Sequence, residues 1–148
     1  KRCHESGLEF HYLCLGVSEA SNTMALLDRA KTLGTRIRFD KDVVPWRFQE
    51  LYDEILDFAK ALELIHLSID LDVLPVAVMP AVSAPAGRGV SLDAVELLLT
   101  SALNTHKVVA VDLVEFNPSL DTDGRGVRVA ARLAWQVARD WRKKEGTE

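Results

Sequence analysis

Two aspartates lie two residues apart in a stretch of the chain that is otherwise apolar. Asp70 and Asp72 belong to the segment LSIDLDVLPVAVMP, in which the surrounding residues predict a buried β-strand. An unpaired charge in a protein interior loses hydration worth several kcal/mol or more, so these carboxylates need a compensating partner. Side chains at alternate positions of a strand share one face and lie about 6.6 Å apart. Carboxylates at that spacing can serve a pair of adjacent metal ions.

A third acid ends a second predicted strand. In VVAVDLVEFNP, Glu115 shares a face with three apolar residues and lies at the carboxyl end of the strand. Open α/β sheets bind their ligands outside the carboxyl ends of parallel strands. We therefore expect Asp70, Asp72 and Glu115 at one rim of a sheet. The long loop after Asp72 contains three prolines and two glycines, and it is expected to line this rim.

Each of these acids also has a simpler explanation. Taken alone, Asp70 and Asp72 fit solvated residues at a strand end or caps of the following turn, because the D-x-D pattern is short and common. The acid at the end of the second strand favours a site instead. Asp112 points to the face opposite Glu115 in the middle of its strand. One explanation is that Asp112 orients the residues of the site without contacting the ligand. The preferred explanation is that it is a buried acid paired with an arginine or with backbone N–H groups.

The elements that must position these residues alternate between strand and helix. Strands are predicted in FHYLCLGV, TRIRFD, LIHLSIDLDV and KVVAVDLVEF. Helices are predicted in SEASNTMALLDRAKTLG, PWRFQELYDEILDFAKALE, SLDAVELLLTSALNT and VRVAARLAWQVARDWRKK. This order predicts an α/β fold with three layers, in which four to five helices cover both faces of a parallel sheet of about four strands. The sequence contains neither a G-x-G-x-x-G nor a Walker A motif, so it carries no nucleotide-binding fingerprint.

The composition is that of one ordinary soluble domain. The 148 residues are 48% hydrophobic and 27% charged, and the net charge is −4. This acidic balance argues against nucleic acid as a partner, and no apolar segment is long enough to cross a membrane. The two cysteines, Cys3 and Cys14, are expected to be reduced, which suits a cytoplasmic protein.

Two long segments resemble a known enzyme family. SIDLDVLPVAVMPAVSAPAGRGVSL and VVAVDLVEFNPSLDTDGRG are similar to the carboxyl-terminal half of the ureohydrolases, the arginase family, which implies an arginase-like fold. The resemblance is strongest to the formimidoylglutamase branch, because Leu74 stands where arginases and agmatinases usually carry an aspartate before the proline. The residues that match the family pattern are Ser68, Asp70, Asp72, Asp112, Glu115, Asn117 and Pro118.

The resemblance implies a binuclear manganese (Mn²⁺) site that hydrolyses N-formimidoyl-L-glutamate to L-glutamate and formamide, a step of histidine degradation. Asp70 would bridge the two ions, Asp72 would bind one of them, and a hydroxide between the ions would attack the formimino carbon. Glu115 would be the catalytic and substrate-binding residue that holds the cationic amidine end of the substrate. Hard oxygen ligands suit manganese, and two metal ions that share a water lower its pKa.

The same resemblance implies that part of the site lies elsewhere. The family's remaining ligands belong to G-G-x-H and D-A-H-x-D motifs of the amino-terminal half, which this sequence lacks, and its four histidines occur in other settings. Residues 1–148 are therefore expected to be the carboxyl-terminal part of a single ureohydrolase-like domain whose amino-terminal half is absent. Alone, the chain would supply part of the site and would be inactive.

Arg88, in the loop APAGRGVS, is the candidate for binding a carboxylate of the substrate. The planar guanidinium matches a carboxylate, and the flanking glycines would let the backbone approach a ligand. A solvated turn residue is the alternative, and Arg125 in DGRG is a weaker candidate. The expected partner is a small-molecule substrate, and a homo-oligomer is left open. Two other functions also stay open: a related hydrolase of agmatine or a guanidino acid, and a non-catalytic α/β interaction module.

Overall fold

The computed structural model describes residues 5–7 and 9–142, in which strands and helices alternate as predicted. Short 3₁₀ turns lie at Asp40–Asp42, Pro45–Arg47, Leu71–Val73 and Pro118–Leu120. The strands are β1 (Leu13–Val17), β2 (Arg36–Phe39), β3 (Ile65–Asp70) and β4 (Val108–Val114), and the helices are α1 (Met24–Thr32), α2 (Phe48–Lys60), α3 (Leu92–Leu103) and α4 (Arg125–Arg142).

The strands form two parallel pairs. β1 is hydrogen-bonded to β2, and β3 is hydrogen-bonded to β4, with Ser68 opposite Asp112 and Asp70 opposite Val114. The predicted α/β class and the parallel direction are therefore confirmed. The prediction of a single sheet differs from the structure, because no ladder joins β1 to β3 among the described residues. The two pairs meet by packing at Gly16, where a Cβ atom would lie 2.6 Å from a methyl group of Val73.

The two faces of β3 have different surroundings. Ile65, Leu67 and Ile69 point into the hydrophobic core, whereas His66 and Ser68 on the other face are exposed. Helices were expected to cover both faces of the sheet. Within the described part of the chain, α2 packs on α3 and α3 on α4, and they share one core with the apolar face of β3. The polar face of β3 is left open to solvent.

The loop between Asp72 and α3 is anchored in the core. Leu74, Met79, Ala81, Val82 and Val90 are each at most 2% exposed. Burial of aliphatic side chains of this size stabilises the fold by about 1.5–3 kcal/mol for each fully buried Val, Leu or Met. The loop that was predicted to line the rim is therefore a packed structural segment as well.

The helices begin and end at residues that the sequence marks. Thr23 caps α1, because its side-chain oxygen accepts a hydrogen bond from the N–H of Leu26. Gly34, just beyond α1, has a φ of +70°, a conformation that glycine adopts without strain.

The last helix was predicted over residues 127–144, but it begins at Arg125, and residues 143 and 144 lie outside the described residues. Among the described residues, no helix is long and apolar enough to cross a membrane.

Lys107 fixes the start of β4 to the end of α2. Its Nζ donates hydrogen bonds to the carbonyl oxygens of Ala59 and Leu62, both at 2.6 Å, and lies 3.3 Å from that of Lys60. The last carbonyls of a helix lack intrahelical partners and carry partial negative charge, so an ammonium group satisfies both needs. This contact helps to set the register of the strand that delivers Glu115.

Candidate functional site

Asp70 is the last residue of β3, and its carboxylate shapes the turn that follows. Its Oδ1 accepts a hydrogen bond of 2.9 Å from the backbone N–H of Asp72, which caps the 3₁₀ turn Leu71–Val73. The side chain is exposed at the carboxyl end of the strand. Asp70 thus has the turn-capping role that was the simpler explanation, and its location at the rim leaves it accessible to a ligand.

Asp72 lies in that turn and does not belong to the strand. The strand alternation that placed Asp70 and Asp72 on one face therefore does not apply, because β3 ends at Asp70. The Asp72 side chain is partly buried, and its Oδ1 is inaccessible to water without a hydrogen-bond partner among the described residues. Burial raises the pKa of Asp72, and the negative charges of Asp70 and Glu115 raise it further, while the backbone N–H of Ala84 lowers it.

Glu115 follows β4 and turns the chain sharply. Its φ of +70° is rare for a residue with a side chain. The predicted alternation with Val109, Val111 and Leu113 does not extend to Glu115, because β4 ends at Val114. The exposed Glu115 carboxylate accepts a hydrogen bond of 3.4 Å from Oγ of Ser83.

The structure brings the three carboxylates together at one end of the β3–β4 pair. Asp70 and Glu115 are both near enough to Asp72 to disfavour its ionised form. Like charges in a partly buried site repel one another, and a cation removes that cost. A metal ion or a cationic ligand at this place would therefore favour the ionised form of Asp72.

The donor set fits part of a metal site. Carboxylate oxygens are the ligands that Mg²⁺, Ca²⁺ and Mn²⁺ prefer, and the buried Oδ1 of Asp72 lacks another partner. No group of three or more His, Cys, Asp or Glu residues among those described is arranged to hold an ion by itself. Asp70 and Asp72 therefore offer oxygen donors of the right kind for such an ion, but the described residues do not complete a coordination shell.

Asp112 lies away from this rim and has different partners from those expected. It was interpreted as a buried acid paired with an arginine or with backbone N–H groups, but its side chain is 41% exposed. Its carboxylate accepts a short hydrogen bond from Ser68, directly opposite on β3, and lies 2.7 Å from Nε2 of His66. The Ser68 hydroxyl, and then His66, lower the pKa of Asp112. Asp112 thus links β3 to β4 on the open face of the pair.

Arg88 is exposed and makes no hydrogen bond or ion pair with the described residues. The flanking Gly89 has a φ of +63°, a conformation that residues other than glycine rarely adopt. A Cβ atom there would lie 2.5 Å from the backbone nitrogen of Pro75, so the close approach serves the protein's own backbone. Arg125 is engaged in structure, because its guanidinium donates to the carbonyl oxygen of Ala77 and to Asp123, both at 2.8 Å.

Two residues at the rim were not identified from the sequence. Ser83 and Ala84 reach Glu115 and Asp72 from the loop. The available signal was the small-residue stretch SAPAG between the core residue Val82 and Arg88, which permits a loop to pass close to other groups. Which carboxylate each residue reaches depends on how the loop folds over the strand ends, and that is a long-range property.

Comparisons with known proteins identify the family of the chain. The arginase family matches residues 1–139. The chain is 46% identical over 141 residues to the formimidoylglutamase of Chromobacterium violaceum, covering 95% of this chain and 46% of that protein. It is 49% identical over 140 residues to the formimidoylglutamase of Citrobacter koseri, covering 95% of this chain and 43% of that protein. The chain therefore spans about half the length of these curated relatives.

Solved structures show the same fold. The formimidoylglutamase of Bacillus subtilis superposes with a TM-score of 0.78 at 25% identity, over 86% of this chain and 40% of that one. The Helicobacter pylori arginase superposes with a TM-score of 0.78 at 20% identity, over 87% of this chain and 43% of that one. The expected arginase-like fold is confirmed.

Burial of Asp72, together with the negative charges of Asp70 and Glu115, predicts that Asp72→Asn raises the free energy of unfolding of the metal-free chain at neutral pH. The folded-state pKa of Asp72 is raised, so its ionisation favours the unfolded chain, and the substitution removes that penalty. The gain should shrink as the pH falls through this raised pKa, because the wild-type carboxyl then also loses its charge. Urea denaturation in the presence of EDTA measures the effect.

Asp93→Asn is the matched control, because it should change stability in the opposite direction. Ser91 and backbone N–H groups lower the pKa of Asp93, so its ionised form stabilises the folded chain above its unfolded pKa. A lower stability of Asp72→Asn at neutral pH would show that the three acids do not repel one another in the folded chain.

Proposed function

The chain belongs to the arginase family, and on this basis we propose that it forms part of a manganese-dependent hydrolase that converts N-formimidoyl-L-glutamate to L-glutamate and formamide. The observation that carries the proposal is the meeting of Asp70, Asp72 and Glu115 at one end of the β3–β4 pair, where an oxygen of Asp72 is buried without a partner among the described residues. The formimidoylglutamases among its relatives support the choice of substrate.

In this proposal, Asp70 and Asp72 hold the metal from the carboxyl end of β3. Asp70 keeps one oxygen on the turn N–H of Asp72, which fixes the direction of its carboxylate. Asp72 presents a buried oxygen that no described residue satisfies. A bound pair of manganese ions would supply hydroxide at neutral pH. The other ligands would come from residues beyond this chain, in the half of the relatives that it does not cover.

Glu115 is the proposed partner of the substrate's cationic end. A carboxylate and a planar amidinium form charge-assisted hydrogen bonds, which are stronger than neutral ones. In the hydrolysis, oxygen bonds to the formimino carbon, the bond from that carbon to the glutamate nitrogen breaks, and this nitrogen takes up a proton. Holding the amidinium at Glu115 would restrict the motion of the formimino carbon while these bonds change.

We further propose that the enzyme acts in the cytoplasm on this small-molecule substrate. Cys14, the free cysteine among the described residues, is partly buried, and burial raises the pKa of its thiol. A protonated thiol reacts slowly with oxidants, and a reducing compartment keeps such cysteines free.

The complete protein that contains these residues provides the test of function. It would be purified with Mn²⁺ and assayed for release of formamide from N-formimidoyl-L-glutamate, and for hydrolysis of agmatine and of a guanidino acid. The proposal expects the formimino substrate to have the highest kcat/KM. A higher value for agmatine or the guanidino acid would identify a sibling hydrolase. If the complete protein hydrolyses none of these substrates and binds no manganese, the chain would instead belong to a non-catalytic module.

Asp70→Ala and Asp72→Ala in the complete protein should each abolish hydrolysis and remove bound manganese, because each substitution deletes a carboxylate that is proposed to bind the metal directly. Metal content by elemental analysis is measured beside the rate. Asp53→Ala, which removes an exposed aspartate on α2, is the control and should change neither. Full manganese content in both rim variants would refute their assignment as ligands.

Glu115→Gln should retain manganese but lower kcat/KM by about tenfold or more, because a charge-assisted pair with the amidinium becomes a neutral one. The same preparation supplies both values, from steady-state kinetics and elemental analysis. If Glu115→Gln keeps the wild-type kcat/KM, Glu115 does not contact the substrate as proposed.

Arg88 is proposed to bind a carboxylate of the glutamate moiety. Arg88→Ala should raise KM about tenfold or more, equivalent to about 1.4 kcal/mol of lost binding, while manganese content stays unchanged. Arg128→Ala, which removes another exposed arginine, is the control and should leave KM as it is. If the two variants have the same KM, Arg88 does not bind the substrate and is a solvated turn residue.

A further inference from the structure

One short part of the loop contacts both strand ends of the rim. The segment Ala81–Ala84, called the rim segment below, accepts a 2.8 Å hydrogen bond at the carbonyl oxygen of Ala81 from the N–H of Asn117. Two residues farther on, Oγ of Ser83 donates to Oε2 of Glu115 at 3.4 Å. The backbone N–H of Ala84 faces the carboxylate of Asp72. The rim segment therefore lies between the proposed metal-binding acid and the proposed substrate-binding acid.

The buried end of the rim segment is held firmly. Ala81 is fully buried and Val82 is 2% exposed. The first turn of α4 packs against Ala81 at Gly126, where a Cβ atom would lie 2.6 Å from the Cβ of Ala81. Asp121 fixes that turn, because its carboxylate accepts hydrogen bonds from the N–H groups of Gly126 and Val127. Packing from two sides leaves the exposed residues of the segment with a defined position.

Glu115 itself has little else to fix its side chain. It is exposed and lies beyond the end of β4 with a φ of +70°. A free glutamate side chain has several rotamers, and ordering them costs on the order of 1.5–2 kcal/mol. The hydroxyl of Ser83 restrains one carboxylate oxygen, Oε2, and so reduces the ordering that substrate binding must supply.

We propose that Ser83 is a positioning residue for Glu115. Its hydroxyl holds Oε2 and leaves Oε1 directed to a cationic amidinium or guanidinium group. This inference rests on the proposed function for its chemistry, but the contact between Ser83 and Glu115 can be tested separately.

Kinetics of the complete protein test the consequence for binding. Ser83→Ala should raise KM for N-formimidoyl-L-glutamate by about threefold to tenfold, the range expected for loss of one hydrogen bond worth about 0.7–1.4 kcal/mol. Manganese content, melting temperature and kcat should stay close to wild type. Ser83→Thr keeps the hydroxyl and should restore KM, a rescue that a purely structural role would not require.

The matched control is Ser119→Ala. Ser119 donates a 2.6 Å hydrogen bond to Asn117 near the same strand end but does not contact Glu115. It should leave KM unchanged. Wild-type KM in Ser83→Ala, or a failure of Ser83→Thr to restore a raised KM, would overturn the inference.

Nuclear magnetic resonance of the complete protein, labelled with ¹³C-glutamate, separates this inference from the proposed function. The ¹³C resonance of the Glu115 carboxylate should shift in Ser83→Ala, return in Ser83→Thr and remain in place in Ser119→Ala. An unmoved resonance in Ser83→Ala would show that Ser83 does not restrain Glu115, whatever the activity. A shifted resonance together with an inactive complete protein would reject the proposed reaction and leave the positioning contact standing.

Discussion

Repulsion among three carboxylates is the constraint on which this end of the molecule depends. Burial and the negative charges of Asp70 and Glu115 disfavour ionisation of Asp72, and one oxygen of Asp72 is buried without a partner among the described residues. Such a cluster is unfavourable for folding unless a cation joins it. The cluster lowers the stability of the ligand-free fold, and a bound cation would restore that stability. Groups that destabilise a fold until a ligand binds are typical of functional sites.

The surrounding structure brings the acids close together without neutralising them. Parallel strands of different length deliver Asp70 and Glu115 to one end, and the turn capped by Asp70 places Asp72 beside them. The following loop packs against these strand ends because Gly89 allows the backbones of residues 73–75 and 89 to approach closely. Apolar burial of the loop therefore supports the position of charged groups that would otherwise separate.

The sequence predicted the parts of this arrangement that depend on local pattern. Alternation of strands and helices gave the parallel α/β fold, and acids at two strand ends pointed to one rim. The alternation of side chains along a strand could not place Asp72 and Glu115. Asp72 lies in a 3₁₀ turn, and Glu115 has a positive φ. The partners of Asp112 and the reach of Ser83 depend on strand register and loop packing, which bring together residues that are far apart in the sequence.

Anomalous X-ray scattering at the manganese absorption edge, from crystals of the complete protein grown with Mn²⁺, would locate the metal ions. We expect anomalous density beside the carboxylates of Asp70 and Asp72, with Glu115 on the opposite side of the rim. Anomalous density elsewhere in the protein, with no metal ion near any of the three carboxylates, would show that these carboxylates do not form the metal site.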